Sequence, residues 1–224
     1  MRIATLDLAR DGAMHIHGAA QPVLNQLADA VDGLPTDLAG IRIHGIAALR
    51  PLLMSSGPIG AIARAILGPE SRPVRAILFD KNANTNWSLG WHQDRTICVQ
   101  SRVDVPGFGP WTVKQGMRHV TPPFDLLAGM ITLRVHLDPV REANAPLLIA
   151  PGSHRFGRIA EPGVGAVIAR CGTHACLADA GDIWVYATPI LHASQAAMQP
   201  AHRRVLQIDY AARDLPGGLA WLGV

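Results

Sequence analysis

From Arg72-Pro73 onward the chain breaks into short runs rich in β-branched and apolar residues: V-R-A-I-L-F, T-I-C-V, M-I-T-L-R-V-H-L, P-L-L-I, D-I-W-V-Y and R-V-L-Q-I-D-Y, with Pro, Gly and Asn between them. Runs of this length read as strands and the punctuation as turns. No helical pattern separates them. Parallel strands need long crossovers, usually helices, so these runs fit an antiparallel sandwich or barrel.

The upstream texture differs. Residues 21–34 place Val23, Leu24, Leu27, Ala30, Val31 and Leu34 on one helical stripe. Residues 59–67 repeat the pattern with Ile59, Ile62, Ala63 and Ile66, stopped by Gly68-Pro69. Residues 1–70 therefore read as mostly helical, flanking a β core over 72–212. With 224 residues, 49% of them apolar, one sizeable core and a single domain are expected. Segment 101–124 carries Pro106, Pro110, Pro122 and Pro123 among aromatic anchors, and reads as a long loop of the kind that forms a lid. No internal repeat or low-complexity tract interrupts the chain.

The net charge is only +3 and no Lys/Arg block occurs, which argues against nucleic acid as a partner while allowing an anionic substrate. Cys98, Cys171 and Cys176 cannot all pair and have no C-x-x-C spacing, so reduced thiols are expected. The opening M-R-I-A-T-L-D-L-A-R-D-G places charges where a secretion signal needs an apolar core. No run approaches the roughly 20 apolar residues that cross a bilayer. These features predict a soluble, cytoplasmic protein with no membrane partner.

Chemistry is concentrated in N-W-S-L-G-W-H-Q-D-R-T-I-C-V. On a strand, His92 and Asp94 point to one face and could hold one ion. A second pair of the same form, His136-Leu137-Asp138, competes with it, so H-x-D alone decides nothing. Two histidines and a carboxylate leave open positions on a metal and suit non-haem Fe(II). His192 in A-T-P-I-L-H-A-S is the best third ligand, and Arg203 follows eleven residues later. A guanidinium there could grip the remote carboxylate of a co-substrate through two parallel hydrogen bonds. Alternation leaves a conflict. Arg204 shares a face with Leu206, Ile208 and Tyr210, so an apolar-inside rule turns Arg204 inward, whereas Arg203 shares its face with Val205, Gln207 and Asp209.

In order, W-H-Q-D, L-R-V-H-L-D-P, A-P-L-L-I-A-P-G-S-H, L-H-A-S and R-R-V-L-Q-I-D-Y resemble the phytanoyl-CoA dioxygenase family, over about residues 72–210. The resemblance implies a mainly β fold, the double-stranded β-helix or cupin-like jelly roll, with a helical N-terminal buttress. It implies an Fe(II)- and 2-oxoglutarate-dependent dioxygenase that hydroxylates a C–H bond of a small-molecule metabolite with O2, forming succinate and CO2. It makes His92, Asp94 and His192 the metal ligands, and selects Arg203, with Ser194, for the distal carboxylate of 2-oxoglutarate. His136 and Asp138 then become a strand-end pair, expected to be hydrogen-bonded. Halogenating relatives lack the carboxylate that Asp94 supplies, so hydroxylation is the default. The chain departs from the family at Ala143-Asn144-Ala145-Pro146, where E-N-G-P is more usual; that alters a turn, not a ligand.

Gln93, Trp111, Lys114, Arg118 and His119 are the candidate substrate contacts. Other residues carry blander readings: His154 as a turn histidine bonded to backbone, His15 and His17 as surface or strand residues, Cys98 as a small buried side chain. Two alternatives share the fold: a cupin-like Zn or Mn isomerase or hydrolase, since two His and an Asp suit Zn²⁺ equally, and a catalytically silent binding module. No motif encodes CoA recognition or the oligomeric state.

Overall fold

The computed structural model describes residues 5–224; Arg2, one of the N-terminal charges cited above, lies outside them. In chain order the elements begin α1 (Leu8–Asp11), β1 (Ala13–Ile16), α2 (Leu24–Val31), β2 (Gly40–Ile43), α3 (Arg50–Leu53), α4 (Gly60–Leu67), β3 (Arg72–Lys81), β4 (Leu89–His92) and β5 (Ile97–Val99). They continue with β6 (Trp111–Lys114), β7 (Met117–Val120), α5 (Phe124–Ala128), β8 (Ile131–His136), β9 (Leu147–Ile149), α6 (Val164–Cys171), β10 (His174–Cys176), β11 (Ile183–Ala187), β12 (His192–Ser194) and β13 (Arg203–Ala211).

The strands form a six-stranded sheet in the order β1-β11-β8-β13-β3-β2, a four-stranded sheet β10-β9-β12-β4 and a three-stranded sheet β5-β7-β6. Every pairing is antiparallel. This is the mainly β, jelly-roll architecture expected. No helix among the described residues is long and apolar enough to cross a membrane. All three cysteines are free.

Strand alternation gives the six-stranded sheet two unlike faces. On one, Ala76 and Leu78 of β3, Leu133 and Val135 of β8, Ile183 and Val185 of β11, and Leu206, Ile208 and Tyr210 of β13 form one cluster with Leu27 and Val31 of α2, Leu52 and Leu53 of α3, and Ala63 of α4. Each fully buried Leu or Ile contributes roughly 1.5–3 kcal/mol, so this cluster is the principal hydrophobic stabilisation. Tyr210 also donates its hydroxyl to the Leu53 carbonyl at 2.9 Å. The close α3–α4 joint requires glycine: a Cβ on Gly60 would run into the Met54 carbonyl. The opposite face looks toward the four-stranded sheet, and between them lies a cavity of about 600 Å³.

Two sequence readings change. The first seventy residues supply β1 and β2, the two edge strands of the large sheet, as well as helices. Each is only four residues long, too short for alternation to register against the neighbouring helical stripes. Segment 101–124 is not a structureless lid. It holds the β6–β7 hairpin, closed by Gln115 and Gly116 with φ of 49° and 77°. Positive φ at both turn positions is the two-residue hairpin geometry that normally selects Asn-Gly or Asp-Gly, and Gln in the first place hid the signal.

Candidate metal centre

His92 ends β4 and His192 begins β12, and the two are direct cross-strand partners. Their ring centroids lie 4.3 Å apart. Asp94, two residues beyond His92, completes a group whose ligand atoms all lie within 4.8 Å of one another. Local hydrogen bonds fix how the rings are presented. The Gly90 carbonyl accepts from His92 Nδ1 at 2.7 Å, and the Ile190 carbonyl accepts from His192 Nδ1 at 3.0 Å. A carbonyl can only accept, so each Nδ1 carries the proton and each Nε2 is left with its lone pair for a metal. Burial pushes His192 down to about 4, which keeps it neutral at physiological pH.

Arg75 of β3 holds the carboxylate. Its Nη2 donates to Asp94 Oδ2 at 2.8 Å and its Nε to Asp209 Oδ2 at 2.6 Å. Burial pushes the Asp94 carboxyl up, but Arg75 foremost outweighs it and the group sits at about 2. An ionised carboxylate and two imidazoles that turn Nε2 away from their backbone partners form a donor set that suits a divalent cation.

Beyond these residues the cavity becomes cationic. Arg203 points into it and donates to the carbonyls of Asn144 and Ala145, while its buried Nε has no partner. Arg134 of β8 donates to Gln207 Oε1 at 2.8 Å, and its Nε is likewise buried and unpartnered. Lys81 donates to the Trp87 carbonyl at 2.8 Å, to Ser194 Oγ at 3.2 Å and to the Gln195 carbonyl. None of the three makes an ion pair among the described residues. Burial, then Arg203 and Arg134, pushes Lys81 down to about 8; burial, then Arg134, pushes Arg203 down to about 9. Buried cations without a counter-charge are costly. The arrangement therefore fits an anionic group lying against Arg203, Arg134 and Ser194, and with the donor set it accommodates iron and a dicarboxylate together.

The remaining candidates divide. Arg204 turns to the opposite face and pairs bidentately with Asp138, Nε and Nη2 each at 2.9 Å. His136, 2% exposed, has no partner at either ring nitrogen. The expected His136–Asp138 hydrogen bond is absent: β8 ends at His136, and Asp138 beyond it is taken by the backbone N–H and guanidinium of Arg204. Gln93 and Lys114 line the cavity, whereas Trp111, Arg118 and His119 do not. The Gln93 amide is engaged with backbone at Gly157, Ile159 and Pro189, which makes it a brace of the wall. Trp111 packs in the cluster behind the hairpin, Arg118 is exposed, and His119 is buried beside Cys98 with Nδ1 on the Met117 carbonyl. His154 is not bonded to backbone: its buried Nδ1 lies against Gly12 and has no partner.

The sequence reading missed Arg42, Arg75, Lys81 and Arg134, all on strands and all alternating onto the cavity side. It also missed that Asp182 joins His15 and His17 in a second cluster, with His15 Nε2 at 3.0 Å from Asp182 Oδ2. Asp182 already accepts from the backbone of Gly18 and Asp179, so that cluster ties the start of β11 to the end of β1.

Fold and centre together define a metal-binding jelly roll of the oxygenase type. The phytanoyl-CoA dioxygenase (PhyH) family model matches residues 56–205, and the chain belongs to that family, whose members depend on Fe(II) and 2-oxoglutarate. Among solved structures, EctD from S. alaskensis with 2-oxoglutarate and 5-hydroxyectoine is 16% identical, with a TM-score of 0.64 over 94% of this chain and 78% of that one. AviO1 from Streptomyces viridochromogenes Tue57 is 21% identical, with a TM-score of 0.64 over 96% of this chain and 99% of that one. The epimerase SnoN, in complex with Fe3+, alpha ketoglutarate and nogalamycin RO, is 17% identical, with a TM-score of 0.61 over 94% and 88%. At these identities the likeness is one of fold. No curated protein sequence matches the chain.

Proposed function

We propose that this protein is an Fe(II)- and 2-oxoglutarate-dependent hydroxylase of a small-molecule metabolite, with His92, Asp94 and His192 as the iron ligands. When bound, iron and 2-oxoglutarate supply the activation of O2 and the oxidation of a C–H bond, with succinate and CO2 as co-products. The chain's part is placement. The Gly90 and Ile190 carbonyls hold both imidazoles with Nε2 forward, and Arg75 keeps Asp94 charged and turned to the same point. Arg203, supported by Arg134 and Ser194, takes the distal carboxylate of 2-oxoglutarate, so the oxoacid meets the metal in one orientation. The wall of Phe79, Trp87 and Trp91 limits water around the reacting groups.

The observation that carries this reading is the pairing of a His-Asp-His donor set with buried, anion-free cations in one cavity. A Zn isomerase or hydrolase would need the donor set but no such cations, and a silent binding module would need neither. The test is succinate formation from 2-oxoglutarate in the presence of Fe(II) and O2. Slow substrate-free turnover that depends on all three supports the proposal; activity with Zn²⁺ or Mn²⁺ and no O2 or 2-oxoglutarate requirement removes it.

A further inference from the structure

Six cationic side chains line the cavity: Arg42, Arg75, Arg95, Lys114, Arg134 and Arg203. Arg75 is matched by Asp94 and Asp209, and Arg95 donates to the Ile159 carbonyl at 2.7 Å. Arg134 and Arg203 form the oxoacid end. Arg42 and Lys114 are left over. Among the described residues neither makes an ion pair or a side-chain hydrogen bond, and Arg42 Nε is buried without a partner.

Their proximity is built in. Arg42 lies on β2, the edge strand, and Lys114 precedes the β6–β7 turn. Gln115 at that turn accepts from the Arg42 backbone N–H at 2.8 Å and donates to the Gly40 carbonyl at 2.9 Å. The hairpin is thereby fastened to the free edge of β2, and Lys114 is carried to the side of Arg42. Arg42 is half-buried and Lys114 is exposed at the rim, and partial desolvation lowers the proton affinity of each; Arg75 lowers Arg42's further and Arg42 lowers Lys114's, while Asp94 acts on both in the opposite sense. The pair thus lies within electrostatic reach of the metal side of the cavity.

The two cationic regions arise from different parts of the sheet. Arg203 is in register with Lys81 and Arg42 with Ile77, four residues apart on β3. That separates their backbones by about 13 Å along the sheet at the usual strand rise, and they lie on either side of β3. We infer that Arg42 and Lys114 form a second anion site at the cavity mouth, and that the prime substrate carries a carboxylate or phosphate held there, with its apolar body along Trp91 and Leu89. The word substrate rests on the oxygenase reading; the anion site itself does not.

The test is anaerobic calorimetric titration of the Fe(II)- and 2-oxoglutarate-loaded protein with benzoate and phenyl phosphate, and with benzamide and benzyl alcohol as neutral counterparts. The anions bind, the neutral compounds bind at least about tenfold more weakly, and added salt weakens the anions selectively. The tighter of the two anions identifies the group recognised. Arg42→Gln and Lys114→Gln each reduce anion affinity about tenfold, while the exposed Arg118→Gln does not. Retention of the iron–oxoacid absorption band in both variants shows that they fold and keep the centre. Equal binding of the neutral compounds, anion binding unchanged in both variants, or no anion binding by wild type overturns the inference. If wild type shows no band, the oxygenase reading fails instead, and the same titration of the apoprotein still decides whether the pair takes an anion.

Discussion

On the helix-covered face of the large sheet, β13 presents Leu206, Ile208 and Tyr210; on the cavity face the same strand presents Arg203, Gln207 and Asp209. β8 repeats the division, with Leu133 and Val135 against the helices and Thr132, Arg134 and His136 on the other side. Both faces are buried; the cavity face is charged over β3, β8 and β13, and apolar only toward β1 and β11, where Ala13, Trp184 and Tyr186 pack on Leu147 and Ile149 of the small sheet. The helix-covered face stabilises the fold by removing hydrocarbon from water, and its packing sets the strand register. The cavity face contributes poorly paired charge that burial disfavours, and it persists because the other face supplies the stability. In this jelly roll the largest hydrophobic cluster lies outside the barrel, under the helices, and a smaller one fills the barrel beside the charged cavity.

That contrast can be broken most severely at the metal. His92→Ala, Asp94→Ala or His192→Ala is expected to abolish iron retention and bring succinate formation to background, with little change in melting temperature. His136→Ala, on the same face but outside the centre, keeps its iron. Metal analysis after gel filtration, alongside thermal melts, separates these outcomes.

Leu206→Ala tests the opposite face. It should cost roughly 2–5 kcal/mol of folding stability in a denaturant titration, while the protein that remains folded binds 2-oxoglutarate as before. If oxoacid affinity falls along with stability, the two faces are not separable.

The adjacent arginines sharpen the comparison within one strand. Arg203→Met should weaken 2-oxoglutarate binding ~100-fold, the loss of a bidentate charge-assisted pair, and leave stability equal or higher because a buried unpaired charge is removed. Arg204→Met loses only the partly exposed pair with Asp138, about 1 kcal/mol or less of stability, and leaves oxoacid affinity unchanged. A larger effect on binding from Arg204→Met would reverse the facing of β13.

The smallest effect is one of pH. Lys81 sits at about 8 without a bound anion, and an anion held by the cationic cluster raises that value. Affinity for 2-oxoglutarate is therefore full at pH 7 and below and declines by up to about tenfold between pH 7 and 9, with proton uptake on binding in that range. Lys81→Gln flattens this dependence. A wild-type profile already flat across that range would show that Lys81 does not act on the anion.

Much of this was legible in the sequence where local pattern and chemistry coincide. The six short runs gave strands, and the stripe through Leu27 and Val31 gave a helix that packs as expected. His92, Asp94 and His192 converge as the motif order implied. Arg203 was the instructive difficulty. Alternation on R-R-V-L-Q-I-D-Y identified the face packed under helices, and an apolar-inside rule took that face for the barrel interior. What stayed hidden depends on strand neighbours far apart in sequence. Arg75 meets Asp94 across separate strands, Arg42 comes near Arg75 only because β2 pairs β3, and Lys114 is brought toward Arg42 only through the Gln115 fastening. Nothing in G-I-R-I-H or W-T-V-K marks such a partner.

The most direct measurement is an anaerobic titration of the apoprotein with Fe(II) and then 2-oxoglutarate, followed in the visible spectrum. A weak charge-transfer band that needs both components, is absent in Asp94→Ala and requires far more oxoacid in Arg203→Met is the predicted result. No band in wild type, with Zn²⁺ binding indifferent to the oxoacid, would contradict the assignment of this cavity to iron and 2-oxoglutarate.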